Sequence, residues 1–374
     1  MAQKQKGIGR LILDVLRASP EPVQASLFIK AVVPDNCAAI SLHNRLTSSR
    51  ICCICIPSRE ENALTVIAAA CDEPGMMGGD AGEGRCGRTH PHNTATMWQR
   101  KEPPMLNRIF ISADIEGTCG IADWDETTLG KADYEPFRRQ MTAEVAAACE
   151  GALAGGSDDI LIKDAHDSAR NLSPAGLPEG VSIFRGWGSD IHAMMSGVDA
   201  SFAGAMFTGY HSSSNTDASP LAHTMNLQNV SVRINGIQAS EMLINAFVLG
   251  MVDVPLLMVT GDAGVCEQAR RINPNVFTVP VQRGVGGGTI SIHPAEAVRR
   301  IRETAQRAVA EGLKSPDKFR IELPNKFDVE VEFVKHTKAR RASFYPGVRK
   351  TGPRSVAFSS DAYYDVLRFF MFCL

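Results

Sequence analysis

Residues 108–117 read Arg-Ile-Phe-Ile-Ser-Ala-Asp-Ile-Glu-Gly. The run from Arg108 to Ala113 is short, β-branched and aromatic, the composition of a buried strand. It stops abruptly at Asp114-Ile115-Glu116-Gly117. Side chains alternate along extended backbone, so Asp114 and Glu116 project to the same side. Two carboxylates side by side repel each other unless a cation or a shared proton sits between them. Taken alone, the pair reads as an ordinary polar loop after a strand. Its meaning depends on what the other strand ends deliver.

Downstream, helix-period apolar positions Phe137, Met141, Val145, Ala148 and Ala152 predict a long helix over 134–154. Gly155-Gly156 ends it. A second strand follows at 159–163, and strand, helix, strand over this length is a βαβ unit of a parallel sheet. That strand runs into Asp164-Ala165-His166. A third apolar run, 202–207, leads to Tyr210-His211, and His223 lies in a short extended piece twelve residues on. A strand at 229–234 precedes the tight-turn pair Asn235-Gly236. Glu241 falls in the first turn of a helix over 239–249, where the helix dipole alone would favour a carboxylate. Strand 255–259, helix 263–272, strand 276–281 and helix 294–310 complete the alternation. Beyond residue 313 the expected elements are strands at 327–333 and 355–359 and a closing helix at 361–370. The expected fold is therefore α/β: a mainly parallel sheet with helices on both faces, plus a smaller C-terminal α+β part. We assign 105–312 to an α/β catalytic domain and 313–374 to the C-terminal portion packing on it. Gly284 to Gly288 has neither the GxGxxG spacing after a first strand nor the Lys-Ser/Thr of a P-loop, and reads as a flexible loop.

The first 104 residues read differently. Little in 72–104 would form a core, and six of the ten cysteines fall before residue 105. Cys52, Cys55, Cys71, Cys86, His90 and His92 lack the second closely spaced cysteine pair of a zinc module. We expect a poorly ordered extension, with Met105 a plausible native start. Composition sets wider bounds. The 374 residues are 44% hydrophobic and 21% charged with net charge −2, which describes a globular protein without the field that gathers nucleic acid or anionic lipid. No eighteen-residue apolar run and no good signal peptide occur, so a cytoplasmic address with reduced thiols is expected.

Ligands of open α/β sheets gather outside the carboxyl ends of strands, where Asp114, Glu116, His166 and His211 fall. With Glu241 they make three carboxylates and two imidazoles. That mixture suits a pair of borderline divalent ions, zinc first. A carboxylate can bridge two such ions, which can activate a water and polarise a carbonyl. Spacing alone does not establish that these residues converge.

The blocks Ser112 to Gly117 (SADIEG), Lys163 to His166 (KDAH), Gly209 to His211 (GYH), Ala222 to Met225 (AHTM) and Ala239 to Ala246 (ASEMLINA) resemble, in order and approximate spacing, the DppA-type zinc D-aminopeptidases. The resemblance runs from about residue 105 almost to the end. It implies a di-zinc peptidase that removes D-amino acids, chiefly D-Ala, from the amino end of short peptides, and a ring-based homodecamer. Carried over position by position, it makes Asp114 the bridging ligand, with Glu116 and His166 on one zinc and His211 and Glu241 on the other. It makes His223 the catalytic histidine beside the metals, not a ligand, a group suited near neutrality to proton transfer or nucleophilic help at the scissile carbonyl. Asp164 and Asn245 become supporting groups behind the ligands, and His192, His293 and His336 have no role. The 104-residue extension has no counterpart in the family. Two competing readings are a metal-dependent hydrolase of another small amide and a metal-free peptide-binding protein on the same fold.

Overall fold

The computed structural model describes residues 106–374 in full and, upstream, only the backbone of four strands. Those strands, β1 (Ile29–Ala31), β2 (Ser41–His43), β3 (Arg50–Pro57) and β4 (Leu64–Cys71), form an antiparallel sheet in the order β1-β4-β3-β2. They belong to a unit divided from the rest of the chain at residues 97/98. The cysteine–histidine reading of 52–92 and the proposed start at Met105 otherwise lie outside the described residues.

The second unit is built on a seven-stranded sheet. Its strands are β5 (Arg108–Ala113), β6 (Asp159–Asp164), β7 (Ser182–Phe184), β8 (Gly204–Tyr210), β11 (Leu256–Asp262), β12 (Phe277–Val285) and β13 (Gly288–Ser291). The order is β13-β12-β11-β8-β5-β6-β7, and every pairing is parallel except β12 with β13. From β5 the chain winds outward to β6 and β7, then returns to β5's other side to lay down β8, β11 and β12. The topology therefore reverses between β5 and β8, and at such a point the strand ends diverge to leave a crevice. The 284–288 stretch, expected to be a flexible loop, is the tip of the β12–β13 hairpin. Val285 pairs with Gly288 across Gly286-Gly287, and Gly286 has a φ of 58°. Glycine supplies the positive φ that a two-residue hairpin turn needs.

Period-two alternation sends the strand residues into two cores. Ile109, Ile111 and Met206 face one core, with the helices Tyr134–Ala154 and Pro294–Lys314. Phe110, Ala205 and Phe207 face the other, with Glu241–Met251 and Ala263–Ile272. The first helix pair comes close because small residues line its seam. A Cβ on Gly151 would stand 2.3 Å from the Arg302 carbonyl oxygen, and one on Gly155 2.6 Å from that of Gln306.

A second, antiparallel sheet adds β9 (Asn229–Ile234), β10 (Ile237–Gln238), β14 (Phe327–Phe333), β15 (Arg349–Lys350) and β16 (Ser355–Ser360), ordered β10-β9-β14-β16-β15. The C-terminal strands thus pair with β9, which precedes the helix bearing Glu241. The short helix His336–Ala342 also lies in this part, and Tyr363–Cys373 closes the chain.

Candidate metal centre

Asp114, Glu116, His166, His211 and Glu241 converge at the β5/β8 reversal, and all five are buried. Ligand-type atoms form three overlapping clusters, each within 4.8 Å: Asp114, Glu116 and His166; Asp114, His211 and Glu241; and Glu116, His211 and His223. Asp114 belongs to the first two. Its Oδ1 lies 3.4 Å from His166 Nδ1, while its Oδ2 lies 3.5 Å from His211 Nε2. Glu116 Oε2 is 3.0 Å from His166 Nδ1, and Glu241 Oε1 is 3.7 Å from His211 Nε2. His223 belongs only to the third and stands beside the other two, its Nε2 3.9 Å from Glu116 and 3.6 Å from Glu241.

Local chemistry explains why each side chain arrives. Glycines bring the three central strand ends together: a Cβ on Gly117 or on Gly261 would fall 1.8 Å from the Tyr210 carbonyl oxygen, and one on Gly209 2.2 Å from that of Asp114. The buried Asp262 accepts from Ser212 N and Oγ, both at 2.6 Å, and caps the following helix through Val265 N at 2.8 Å. It thereby sets the turn that carries His211. Asp164 accepts from Asn171 Nδ2 and Leu172 N, while the same Asn171 amide donates to the His166 carbonyl at 2.7 Å. Glu241 opens a helix capped by Ser240, whose Oγ accepts from Leu243 N. Its Oε1 also takes the Met225 N–H at 2.7 Å. Asn245, by contrast, donates to the Tyr210 hydroxyl at 2.9 Å and to no carboxylate of the cluster.

The imidazoles are held in one sense. His166 Nε2 donates to Thr127 O, His211 Nδ1 to Ser212 O and His223 Nδ1 to Leu221 O, at 3.0, 2.9 and 3.0 Å. A neutral imidazole that gives its only N–H to a carbonyl presents the other nitrogen as a lone pair. In each case the other nitrogen faces the carboxylates, offering a lone pair when the imidazole is neutral and a second N–H when it is charged. The His211 and His223 rings stack 4.3 Å apart, with the Trp124 ring edge-on to His223 at 5.2 Å.

Electrostatics fits a cation. Burial, with the Glu116 charge beside it, pushes the Asp114 carboxyl up to about 8. Burial works the same way on Glu116 and Glu241, but His166 and His211 respectively overcome it and hold both carboxyls below their usual range. His166 and His211 are in turn held well above the usual histidine value by Glu116 and Glu241, against burial. Asp114 Oδ2, Glu116 Oε2 and His211 Nε2 are buried and make no hydrogen bond. Orphaned buried acceptors cost free energy that divalent ions would recover. The donor set is hard oxygen with imidazole nitrogen, the mixture zinc takes.

The cluster floors a cavity of about 390 Å³ walled by Trp124, Trp187, His223 and Met225. His192, His293 and His336 lie elsewhere: His192 3.5 Å from Asp190, His293 capping Pro294–Lys314 and His336 at the start of the short helix. Sequence reasoning did not single out Asn171, Trp124 or the converging glycines. Asp262 did offer a signal, since an aspartate between a strand and a helix is an N-cap pattern.

Comparison with known proteins follows the same lines. A family profile described as D-aminopeptidase matches residues 107–372. A D-aminopeptidase of Bacillus subtilis (strain 168) is 31% identical over 258 residues, covering 68% of this chain and 91% of the relative. A solved structure described as "Zn-dependent D-aminopeptidase DppA from Bacillus subtilis, a self-compartmentalizing protease" superposes with a TM-score of 0.64 at 28% identity, covering 71% of this chain and 95% of the other.

Proposed function

This chain belongs to the D-aminopeptidase family of metallopeptidases, and on that premise we propose that it removes the amino-terminal D-residue, chiefly D-Ala, from short peptides at a two-zinc centre. Asp114 would bridge the ions, Glu116 and His166 completing one and His211 and Glu241 the other. The carrying observation is that the two oxygens of Asp114 face different imidazoles, each with its second ring nitrogen turned inward. When bound, zinc supplies Lewis-acid polarisation of a carbonyl and lowers the pKa of water toward neutrality.

The chain's own groups do the rest. Asp164 and Asn171 hold His166, and Asp262 holds His211, so the ligand nitrogens need little reorganisation. His223 is the group we assign to proton transfer. With Nδ1 committed to Leu221 O, its Nε2 is free to take a proton during attack and return it to the departing amine. The Trp124 edge and the stacked His211 ring keep that imidazole in place.

The solved relative is described as self-compartmentalizing; for this chain we propose the ring-based homodecamer that the family resemblance implies, which light scattering of the purified protein tests by mass. No helix among the described residues is long and apolar enough to cross a membrane. For the activity, the zinc-loaded chain is given D-Ala-D-Ala and L-Ala-L-Ala in parallel. Release of alanine mainly from the D-peptide supports the reading, and preference for the L-peptide removes it. Hydrolysis of neither peptide by a zinc-loaded chain favours another small amide as substrate.

A further inference from the structure

One acidic residue of the cavity is left over once the zinc ligands are assigned. Asp167 lines the same cavity as Asp114, Glu116, His166 and Glu241, yet it joins none of the three carboxylate–imidazole clusters. Its carboxylate accepts no hydrogen bond and forms no ion pair among the described residues, and no lysine or arginine lines the cavity. Its backbone is left-handed, with φ at 42°, and Ala169 two residues on has φ at 53°. Left-handed angles are uncommon for non-glycine residues, aspartate being among those that adopt them more readily, and here local contacts fix them. The contacts here are specific. Trp187 Nε1 donates to Asp167 O at 2.7 Å, Ala169 N to His166 O at 2.7 Å and Gly186 N to Ala169 O at 2.8 Å. Buried Lys163 Nζ adds bonds to Asp164 O and Gly186 O. The loop is fixed, and Asp167, a solvent-exposed residue, lies on the cavity wall next in sequence to His166.

We propose that Asp167 recognises the primary ammonium group of the peptide substrate, deepening the aminopeptidase reading on which this inference rests. A substrate attacked at its first peptide bond carries its ammonium two bonds from the scissile carbonyl carbon. A carboxylate beside the metal ligands, with no competing cation in the cavity, pairs with that ammonium. The pairing selects a free amino terminus over a blocked one and sets which bond is presented. Asp167 is a positioning and specificity group on this account, distinct from the proton-transfer role of His223.

The test compares the wild type with Asp167→Asn, which removes the charge while keeping a residue tolerant of the left-handed conformation. Equilibrium binding of D-alaninamide and D-lactamide to the zinc-loaded protein is measured, the two differing only in ammonium against hydroxyl. Asp167→Asn is expected to weaken D-alaninamide about 10-fold or more, as for a lost charge-assisted hydrogen bond, and to leave D-lactamide and zinc content unchanged. With D-Ala-D-Ala the loss is expected in KM more than in kcat. Equal binding of both amides by wild type and variant overturns the proposal, as does loss of zinc from the variant, which would make Asp167 a ligand. Failure of the activity reading looks different. The wild type would then discriminate the two amides while hydrolysing no D-peptide, and recognition by Asp167 would stand.

Discussion

Gly117 passes so close to Tyr210 that any side chain at position 117 would meet the Tyr210 carbonyl oxygen at 1.8 Å. Gly117 N also donates to Gly209 O at 2.8 Å. The loop bearing Asp114 and Glu116 is thereby fastened to the end of β8, whose next residue is His211. On the proposed ligand assignment, the spacing of the two halves of the carboxylate–imidazole cluster depends on this contact. Gly117→Ala has only backbone to push against, so the end of β8 must shift. Overpacking of this kind costs about 1–3 kcal/mol. Urea denaturation should register that loss, and zinc titration should show weakened binding at the same time. An unchanged zinc affinity would mean that the contact does not set the ligand spacing.

Asp114 and Glu116 separate in their consequences. Asp114 faces both His166 and His211, whereas Glu116 lies closest to His166, at 3.0 Å, with His223 at 3.9 Å on its other oxygen. Asp114→Ala should therefore release both zincs, and Glu116→Ala should weaken mainly one. Metal analysis after dialysis reads the difference. Equal loss in the two variants would contradict the bridging role.

His223 gives the converse pattern. His223→Ala should lower kcat by roughly 10²–10⁴, the usual worth of a positioned proton-transfer group, with zinc retained. Loss of zinc from that variant would make His223 a ligand.

The sequence carried the fold well wherever a single period ruled. Arg108–Ala113, Tyr134–Ala154 and Phe327–Phe333 occupy the expected spans because one apolar pattern runs unbroken through each. Residues 284–288 read as a loop in the sequence because the strand that follows, Gly288–Ser291, is too short to show alternation beside a run of glycines. The helix His336–Ala342 escaped notice because it buries only Ala339 and Ala342 among basic residues. The metal residues were legible one strand end at a time. Their convergence was not, since it rests on glycines at 117, 209 and 261 that matter only when β5, β8 and β11 lie side by side. Imidazole orientation was equally hidden, because it is fixed by carbonyls of Thr127, Ser212 and Leu221.

A pH effect on stability arises away from the metals. Burial pushes the Glu144 carboxyl from its ordinary 4.5 up to about 7, although Gln140 and the Cys119 amide both donate to it. Between these values the folded chain binds the proton and the unfolded chain does not. Stability from this group is thus complete below about 4.5 and lost as pH rises through 7. Glu144→Gln stays neutral throughout, so it should exceed the wild type by roughly 2–3 kcal/mol at pH 8 and by little at pH 5. Paired urea denaturations at the two pH values check this. A gap independent of pH would show that Glu144 does not titrate in that window.

The central claim is a shared carboxylate between two metal ions, and zinc-edge anomalous diffraction from zinc-loaded crystals addresses it most directly. The account predicts two peaks flanking Asp114, roughly 3.5–4 Å apart, one beside Glu116 and His166 and the other beside His211 and Glu241. A single peak, or two peaks that leave Asp114 outside both coordination shells, would contradict it.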